Sequence, residues 1–451
     1  MKIKNIHNAF TVVNVNNHKI ICDPWISEGI FDGTWGKFPY VKNIEQYIKD
    51  TTHCFISHVH QDHMDLEAIK LMGKSTKFYI PNIYPNHVIT NILNNLGFEY
   101  IKMLDPLVKT EIEPGLYFSI IPPMNGGGLV MDKTDEEGTL AHLSVDAGLV
   151  IEDKDAKVVL LSDNGPYKLN KELTKVMGGA DLLAFPFNGV ADNYPVCFNN
   201  MTLKEKQNAS LRRQSNRKTL QSETFKTLQP KNLMPYSSDI VIIGPRAKDF
   251  ANVHPIEYVD RELVSKIYEE STNIPTHAVC YNNNIMIENH NMVIEGDYIE
   301  HDFKSYAYSK YSNDINPIIS HPSIDKETLM HNFKLACDNM FSMMGKLNLK
   351  SEWVLCFNIE DLNISFSVNL KTKTLKFNKT QPPSFLSLSY INEKVQTLTI
   401  TSGYLDKHFL FYHHWNNSII SHNLNWHRTI DEYCGGLESA LNFLHLTTKD
   451  R

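Results

Sequence analysis

A cluster of metal-binding side chains stands out near residue 60. Residues 57–63 read SHVHQDH, so three histidines and one aspartate fall within six positions, directly after an apolar run. Alternation along an extended chain points His58 and His60 in the same direction. The turn that follows brings Asp62 and His63 toward a second metal position. Neutral imidazole and carboxylate groups suit Zn²⁺, iron or Mn²⁺, so the segment predicts a metal site at a strand end.

Short apolar runs and helical stretches alternate around this segment and must position it. The segment follows a predicted strand over 54–57 and precedes a predicted helix over 66–72. The other strands predicted in this part of the chain cover 11–15, 19–22, 78–80, 118–121, 149–152, 158–161, 182–185 and 240–243. Many short strands with intervening helices are typical of an α/β sandwich, with sheets inside and helices outside.

The composition changes near residue 305, where a stretch rich in Tyr, Ser and Asn begins. Before it we predict a long polar helix over 202–228 and a β-hairpin over 275–303 that turns at 282–284. After it we predict a helix over 323–345, strands over 353–359, 364–370, 374–378, 386–390, 397–400 and 409–413, and a last helix over 430–446. We therefore predict two domains, a metal-binding catalytic domain over 1–304 and a C-terminal α+β domain of unknown role over 305–451.

The composition also excludes several classes of protein. Lys and Arg number 44 against 51 Asp and Glu, and this net charge of −7 argues against a nucleic-acid partner. No apolar run reaches the roughly 18–20 residues of a membrane span, and the N-terminus lacks the apolar core of a signal peptide. Seven cysteines, an odd number at wide spacings, argue against a disulfide framework. We therefore expect a cytoplasmic protein.

The metal-binding segment resembles that of the metallo-β-lactamase fold superfamily, in which two metals bind at the edge of an αββα sandwich. The resemblance implies that His142 completes the first metal position and that Asp163 bridges both metals. A satisfied polar histidine and a turn aspartate are the alternatives for these two residues. His254 is the expected last ligand of the second metal, but it could equally be an ordinary loop histidine. The second site would then be open or incomplete.

A second set of residues narrows the branch of the superfamily. The sequence contains Asp23-Pro24-Trp25-Ile26 with Trp35 ten residues after Trp25, the aromatic–proline segment 194–198, a long helix, and Met-Pro-Tyr-Ser-Ser over 234–238. Together they resemble the catalytic region of CMP-N-acetylneuraminate hydroxylase-like proteins, over roughly residues 5–260. That family also carries a Rieske domain. This sequence has no C-x-H and C-x-x-H pair, so an oxygenase would need a separate electron donor.

Candidate substrate contacts follow from the same segments. Trp25 and Trp35 could form an aromatic wall beside the metals, although simple core packing is the alternative. Tyr194 and Tyr236 lie in the segments that carry the resemblance. Arg246, just after an apolar strand, could clamp a carboxylate or phosphate. The basic helix over 202–228 could face an anionic small molecule, although a solvated helix face is the commoner explanation.

Three functions remain open at this stage. The resemblance implies an oxygenase that uses iron and acts on an anionic small molecule or nucleotide sugar. The alternative is a zinc- or manganese-dependent hydrolase of a phosphodiester, lactone or ester, in which two metals about 3.5–4 Å apart generate the nucleophile. Asp62 and Asp163 would be catalytic ligands in either enzyme, with two divalent ions, iron or zinc, as cofactors. The third is a scaffold with a purely structural metal.

Overall fold

The computed structural model describes residues 1–83, 86–123, 145–165, 169–187, 194–237, 239–253, 260–299, 301–314, 319–378, 394–429 and 435–450. The strands in these ranges are β1 Lys2–His7, β2 Phe10–Val15, β3 His18–Cys22, β4 Trp35–Lys37, β5 His53–Phe55, β6 Lys77–Pro81, β7 Ile101–Leu104, β8 Thr110–Glu113, β9 Leu116–Ile121, β10 Gly148–Glu152, β11 Lys157–Leu160, β12 Leu182–Pro186, β13 Leu233–Tyr236, β14 Ile240–Ile242, β15 Asn284–Glu288, β16 Asn291–Glu295, β17 Val354–Ile359, β18 Ile364–Asn369, β19 Thr374–Asn378, β20 Val395–Ile400 and β21 Asn425–Arg428.

Helices connect or cover most of these strands. They are α1 Ile30–Gly33, α2 Leu66–Lys70, α3 His87–Asn95, α4 Lys171–Met177, α5 Leu203–Leu228, α6 Ala247–Val253, α7 Arg261–Thr272, α8 Phe303–Ser309, α9 Lys326–Lys346, α10 Ser402–Phe409, α11 Trp415–Ile420 and α12 Gly435–Leu441. Within the described ranges, no helix is both long enough and apolar enough to cross a membrane.

Two large sheets form the centre of the first part of the chain. The first sheet has the strand order β16-β15-β1-β2-β3-β5-β6-β7, and the second has the order β13-β12-β11-β10-β9-β8. Strands β3, β5, β6 and β7 run parallel to one another, as do β11, β12 and β13. The carboxyl ends of parallel strands lie at one edge of a sheet, where open α/β sheets bind ligands.

Three apolar cores build an αββα sandwich from these sheets. Side chains such as Ile20 and Tyr79 of the first sheet pack against Leu149 and Leu182 of the second. On the outer face of the first sheet, Phe78 and its neighbours pack against α2 and α3. On the outer face of the second sheet, a third core lies under α4, α5 and α7. The predicted αββα sandwich is confirmed.

A smaller sheet forms the centre of the C-terminal part. Its order is β19-β18-β17-β20-β21, and it packs against the long helix α9 through a separate core that includes Phe333 and Phe357. Val196, Cys197 and Phe198 from the first part of the chain join this core. The boundary proposed between residues 304 and 305 falls in the first turn of α8, and the division into two domains remains a prediction.

Several local predictions need correction. The strand predicted over 409–413 is wrong, because Phe409 ends α10 and a turn follows. The pattern misled because Leu410, Phe411 and Tyr412 form an apolar and aromatic run, although Phe411 and Tyr412 are exposed in this turn. The hairpin turn predicted at 282–284 lies instead at Asn289 and His290, whose φ values of 48° and 62° suit a tight turn. The strand predicted over 386–390 lies outside the described residues.

The long polar helix was predicted correctly, and its sequence explains where it begins and ends. The Thr202 hydroxyl accepts a hydrogen bond from the backbone N–H of Glu205, and the Glu205 carboxylate accepts one from the backbone N–H of Thr202. This capping box satisfies donors that the first helical turn leaves unpaired. The helix ends at Gln229, which adopts a left-handed conformation with a φ of 49°.

Candidate metal centre

The candidate metal centre lies at the carboxyl ends of four parallel strands. Asp23 directly follows β3, and residues 57–63 follow β5 of the same sheet. From the second sheet, Ser162 and Asp163 follow β11, and Ser237 follows β13. Polar side chains from both sheets therefore lie at one edge of the sandwich, although their segments are far apart in the sequence.

The first group of potential ligands consists of His58, His60 and Asp146. His58 Nε2 lies 2.8 Å from His60 Nδ1 and 3.5 Å from an Asp146 carboxylate oxygen. One ligand atom from each residue falls within 4.8 Å of the other two, the spacing expected around one ion. His58 is completely buried, whereas the Asp146 side chain keeps 25% of its exposure. The arrangement is two imidazoles and one carboxylate around a common point.

The second group consists of Asp62, His63 and Asp163. His63 Nε2 lies 3.1 Å from Asp62 Oδ2 and 3.2 Å from Asp163 Oδ2. Asp163 also forms a compact set with His58 and His63, again within 4.8 Å. Asp163 therefore faces both groups, as a carboxylate shared between two ions would.

Asp23 contacts the second group through the Nδ1 atom of His63. One of its oxygens accepts a hydrogen bond from the backbone N–H of Ser57 at 2.7 Å. Its other oxygen accepts hydrogen bonds from the hydroxyls of Ser57 at 2.8 Å and Ser162 at 2.7 Å, and it lies 3.0 Å from His63 Nδ1. Because Asp23 occupies Nδ1, the Nε2 atom of His63 is left for Asp62 and Asp163. Such a carboxylate–histidine contact orients imidazole ligands in metal sites.

Further contacts fix the two aspartates. The Asn8 side chain donates to Asp62 Oδ2 at 3.0 Å, and the Ser237 hydroxyl donates to Asp163 Oδ1 at 2.5 Å. The phenol oxygen of Tyr236 accepts a hydrogen bond from the backbone N–H of Ser162. The loop that carries Asp163 after β11 is thus tied to β13, which lies beyond β12 in the same sheet.

The electrostatics of the centre suit bound cations. Burial lowers the pKa of His58 and of His60, which keeps both imidazoles neutral and able to coordinate. Burial would also lower the pKa of His63, but Asp62, Asp163 and Asp23 together raise it well above the usual range. Three carboxylates around one buried imidazole leave an excess of negative charge, which a metal ion would neutralise.

The tryptophans predicted to contact substrate lie in the apolar core beside the centre. Trp25 is completely buried and donates from its indole to the backbone oxygen of Ser27, while Trp35 donates to the backbone oxygen of Ile420. They pack with Phe31 into a core of their own. Both side chains are buried in this core. The predicted contact of either tryptophan with a substrate stays a prediction.

The remaining predicted residues fall into two sets. Tyr236 is buried and contacts the centre through Ser162. Arg246 contacts the backbone oxygen of Val196 and the side chain of Asn425, and so links α6 to the C-terminal sheet. His142 and His254 lie outside the described residues, as does the side chain of Tyr194.

Sequence reasoning missed Asp146 and the role of Asp23. Asp146 lies only four residues after His142, and an acidic residue so close to an expected ligand was a usable signal. No role of its own at the centre was predicted for Asp23, although a buried aspartate directly after a strand needs several donors. The role of Asn8 could not be predicted from a local sequence pattern, because its contact with Asp62 joins residues 54 positions apart.

A separate set of metal-type side chains lies elsewhere, formed by His18, His53 and Glu113. His53 Nε2 lies 3.0 Å from a Glu113 carboxylate oxygen, and the Lys77 ammonium contacts the same oxygen. Since Lys77 already neutralises Glu113, we interpret these residues as an ion pair that joins the two sheets.

Comparison with known proteins agrees with this architecture. Residues 18–220 match the family model described as the beta-lactamase superfamily domain. A curated relative from Mycolicibacterium smegmatis, named as a Rieske 2Fe-2S iron-sulfur protein, is 23% identical over 201 residues, which are 44% of this chain and 36% of the relative. This chain therefore spans about a third of the length of that relative.

Two solved structures are also similar. A metallo hydrolase from the archaeon Ignicoccus hospitalis is 18% identical, with a TM-score of 0.38, over 66% of this chain and 99% of that chain. The diiron β-hydroxylase CmlA from Streptomyces venezuelae is 13% identical, with a TM-score of 0.40, over 65% of this chain and 53% of that chain. Residues 18–220 match the model of the beta-lactamase superfamily domain, and the mixed α/β arrangement of the described residues matches the metallo-β-lactamase fold.

Proposed function

We propose that this protein is an iron-dependent oxygenase of a small anionic molecule, such as a nucleotide sugar. The observation that carries the proposal is the convergence of His58, His60 and Asp146. Two histidines and one carboxylate around an ion with open positions are the ligand set of non-haem Fe(II) oxygenases. Asp62, His63 and Asp163 form an adjoining position, so we propose two ions per chain.

The residues fit such ions in spacing and in charge. With metal–ligand bonds of about 2.1 Å, two ligands at right angles lie about 3 Å apart. The separations of 2.8 Å for His58–His60, 3.1 Å for His63–Asp62 and 3.2 Å for His63–Asp163 lie close to this value. We also propose His142 and His254 as further ligands, on the resemblance alone.

Each of the predicted side chains would then have a defined role. Bound iron would supply the binding and reduction of O₂. Asp163 would be shared between both ions, and the Ser237 hydroxyl and the Asp23–His63 contact would hold the ligands in place while the substrate binds. Trp25, Trp35 and Tyr236 would support these loops from the core. Tyr194 and Arg246 remain proposed substrate contacts.

The balance of the reaction requires a reductant. Insertion of one oxygen atom of O₂ into a C–H bond gives an alcohol and one water, and it consumes two electrons and two protons. We propose that a separate redox protein delivers the electrons, since the sequence contains no C-x-H and C-x-x-H pair.

All six cysteines in the described part of the chain are free thiols, which supports a reducing, cytoplasmic location.

The second candidate is a two-metal hydrolase. It is favoured by the position of Asp163, which faces both ligand groups like a carboxylate between two zinc ions. In that case the ions would polarise an ester or phosphodiester and lower the pKa of a bound water. Asp62 would then hold the nucleophile in place.

Metal analysis and oxygen dependence separate the two candidates. The full chain is expressed with balanced iron and zinc, and the metals are counted per chain. The iron-loaded protein is then incubated with a chemical reductant, ¹⁸O₂ and a panel of nucleotide sugars and other anionic molecules. Incorporation of ¹⁸O into a product supports the oxygenase. Turnover of esters or phosphodiesters by the zinc protein without O₂ would overturn it in favour of the hydrolase.

A further inference from the structure

The two ring nitrogens of His60 face different parts of the chain. Its Nδ1 atom lies 2.8 Å from His58 Nε2 and so faces the first group of potential ligands. Its Nε2 atom lies 2.8 Å from the amide nitrogen, Nδ2, of the Asn416 side chain. Asn416 belongs to α11 and follows His60 by 356 residues. A side chain from the C-terminal part therefore contacts the outer side of a metal-site histidine.

The chemistry of a neutral imidazole makes this contact informative. One ring nitrogen carries the proton and the other carries the lone pair that binds metal. For Nδ1 of His60 to coordinate, Nε2 must carry the proton, and its partner must accept a hydrogen bond. The Asn416 amide can do this through its oxygen, since a half-turn of the amide exchanges its nitrogen and oxygen at the same place.

The surrounding contacts hold Asn416 in position. The His414 side chain accepts a hydrogen bond from the backbone N–H of Asn416 at the start of α11. Next to it, Trp415 is buried and donates to the backbone oxygen of Leu444 at 3.0 Å. Asn416 is therefore fixed by the core of the C-terminal part.

A second contact ties the same helix to the loop beside the centre. The Ser418 hydroxyl of α11 donates to Asp32 Oδ2 at 2.8 Å, and the Tyr404 hydroxyl donates to the same oxygen at 3.0 Å. The neighbouring Phe31 packs its ring edge-on against His60, with 6.1 Å between the ring centres. The end of α11 that carries Asn416 is thus held next to His60.

We propose that Asn416 is a positioning residue that fixes the tautomer and the ring plane of His60, so that the C-terminal part completes the first metal position. This inference rests on the proposed function, because it requires a metal at His58 and His60. Partners of this kind on the outer nitrogen of a ligating histidine typically change metal affinity about 10–100-fold when removed.

Substitutions at position 416 separate positioning from packing. Asn416→Leu keeps the approximate shape and removes the acceptor, whereas Asn416→Asp keeps an acceptor and removes the donor. Asn417→Leu, one residue along the same helix, is the matched control. Zn²⁺ affinity of the full chain is measured by chelator competition, the Co²⁺ absorption spectrum reports the ligand set, and the melting temperature of the metal-free proteins reports folding.

We expect Asn416→Leu to weaken Zn²⁺ binding by about tenfold or more, with an altered Co²⁺ spectrum. Asn416→Asp should bind at least as tightly as wild type, and Asn417→Leu should match wild type. If Asn416 only fills space, Asn416→Leu should bind Zn²⁺ like wild type and the charged Asn416→Asp should bind it more weakly. This order of affinities is the reverse of the expected one and would overturn the inference. If Asn416→Leu does not fold, Asn416→Asp and Asn416→Ala are compared in the same way.

The same experiment keeps the two proposals apart. If the wild-type chain binds neither Zn²⁺ nor Co²⁺, the proposed metal centre is wrong and the inference fails with it. If the wild-type chain binds metal and Asn416→Leu binds equally well, only the role of Asn416 is wrong. As an independent readout, ¹⁵N chemical shifts of the histidine rings should place the His60 proton on Nε2 in the Zn²⁺-loaded protein.

Discussion

At the scale of single residues, the carboxylate of Asp23 decides how the second ligand group is presented. It takes four contacts at once, from the backbone and hydroxyl of Ser57, from Ser162 and from His63. Each of these donors is buried, so none can form a hydrogen bond with water instead if the carboxylate is lost. Asp23 therefore joins the stability of the strand ends to the geometry of His63.

We expect Asp23→Ala to weaken the second metal position about 10–100-fold, because His63 loses the carboxylate that contacts its Nδ1 atom. Burying unpaired donors should also lower the free energy of unfolding by about 1–3 kcal/mol. Chelator competition and urea unfolding measure the two effects. The control is Asp297→Ala, at an exposed position. Unchanged metal affinity in Asp23→Ala would contradict this role.

The ligand residues themselves give a second prediction. The double substitution Asp62→Ala and His63→Ala removes two of the three side chains of the second group but leaves His58 and His60. We expect the metal count to fall from two per chain to one, as measured by elemental analysis. His18→Ala is a matched control, because His18 lies in the separate set with His53 and Glu113. Full cellular function in the double variant would favour a scaffold role instead.

At the scale of secondary structure, the strand ends show how much the sequence could predict. Residues 57–63 were recognisable because ligand types and spacing both fall in one short segment. Asp163 could be predicted from the end of β11 together with the resemblance. The contacts from Asn8, Ser162 and Ser237 could not be predicted, since they depend on the packing of the two sheets.

The C-terminal elements were harder to predict for a related physical reason. Helices α10 and α11 contain only eight and six residues, which is too short for the helical period to identify them in the sequence. Their contacts with the centre, Asn416 to His60 and Ser418 to Asp32, join residues more than 350 positions apart. No local pattern encodes such contacts.

The link between β13 and the loop after β11 gives the prediction at this scale. Tyr236→Phe removes the oxygen that accepts the backbone N–H of Ser162, next to Asp163. We expect a loss of about 1–3 kcal/mol in the free energy of unfolding, because a buried N–H is left unpaired. Metal affinity should fall as well, since the loop of Asp163 is released. Tyr412→Phe, at a side chain with 74% exposure, should change neither quantity in urea unfolding and chelator competition.

At the scale of the whole molecule, the two sheets are also joined far from the metal centre. Asp181 precedes β12 of the second sheet, and its side chain is almost completely buried. It pairs with Lys231 at 2.9 Å and with His290 at 2.9 Å, and it accepts the backbone N–H of Lys157 at 2.8 Å. His290 lies in the turn between β15 and β16 of the first sheet. Asp181 thus connects both sheets through one carboxylate.

This connection should make stability depend on pH in a defined direction. Burial alone would raise the pKa of Asp181, but Lys231, His290 and the Lys157 backbone outweigh it and lower that pKa below the usual value near 4. A carboxyl with a lowered folded-state pKa stabilises the fold above its unfolded pKa, and this contribution is lost as the pH falls through the folded value. We expect Asp181→Asn to be less stable than wild type at pH 7, with a difference that shrinks below about pH 4. Urea unfolding at pH 7, 5 and 3 measures the difference, with Asp297→Asn at an exposed position as the control. A difference that stays constant with pH would show that Asp181 acts through packing and not through its charge.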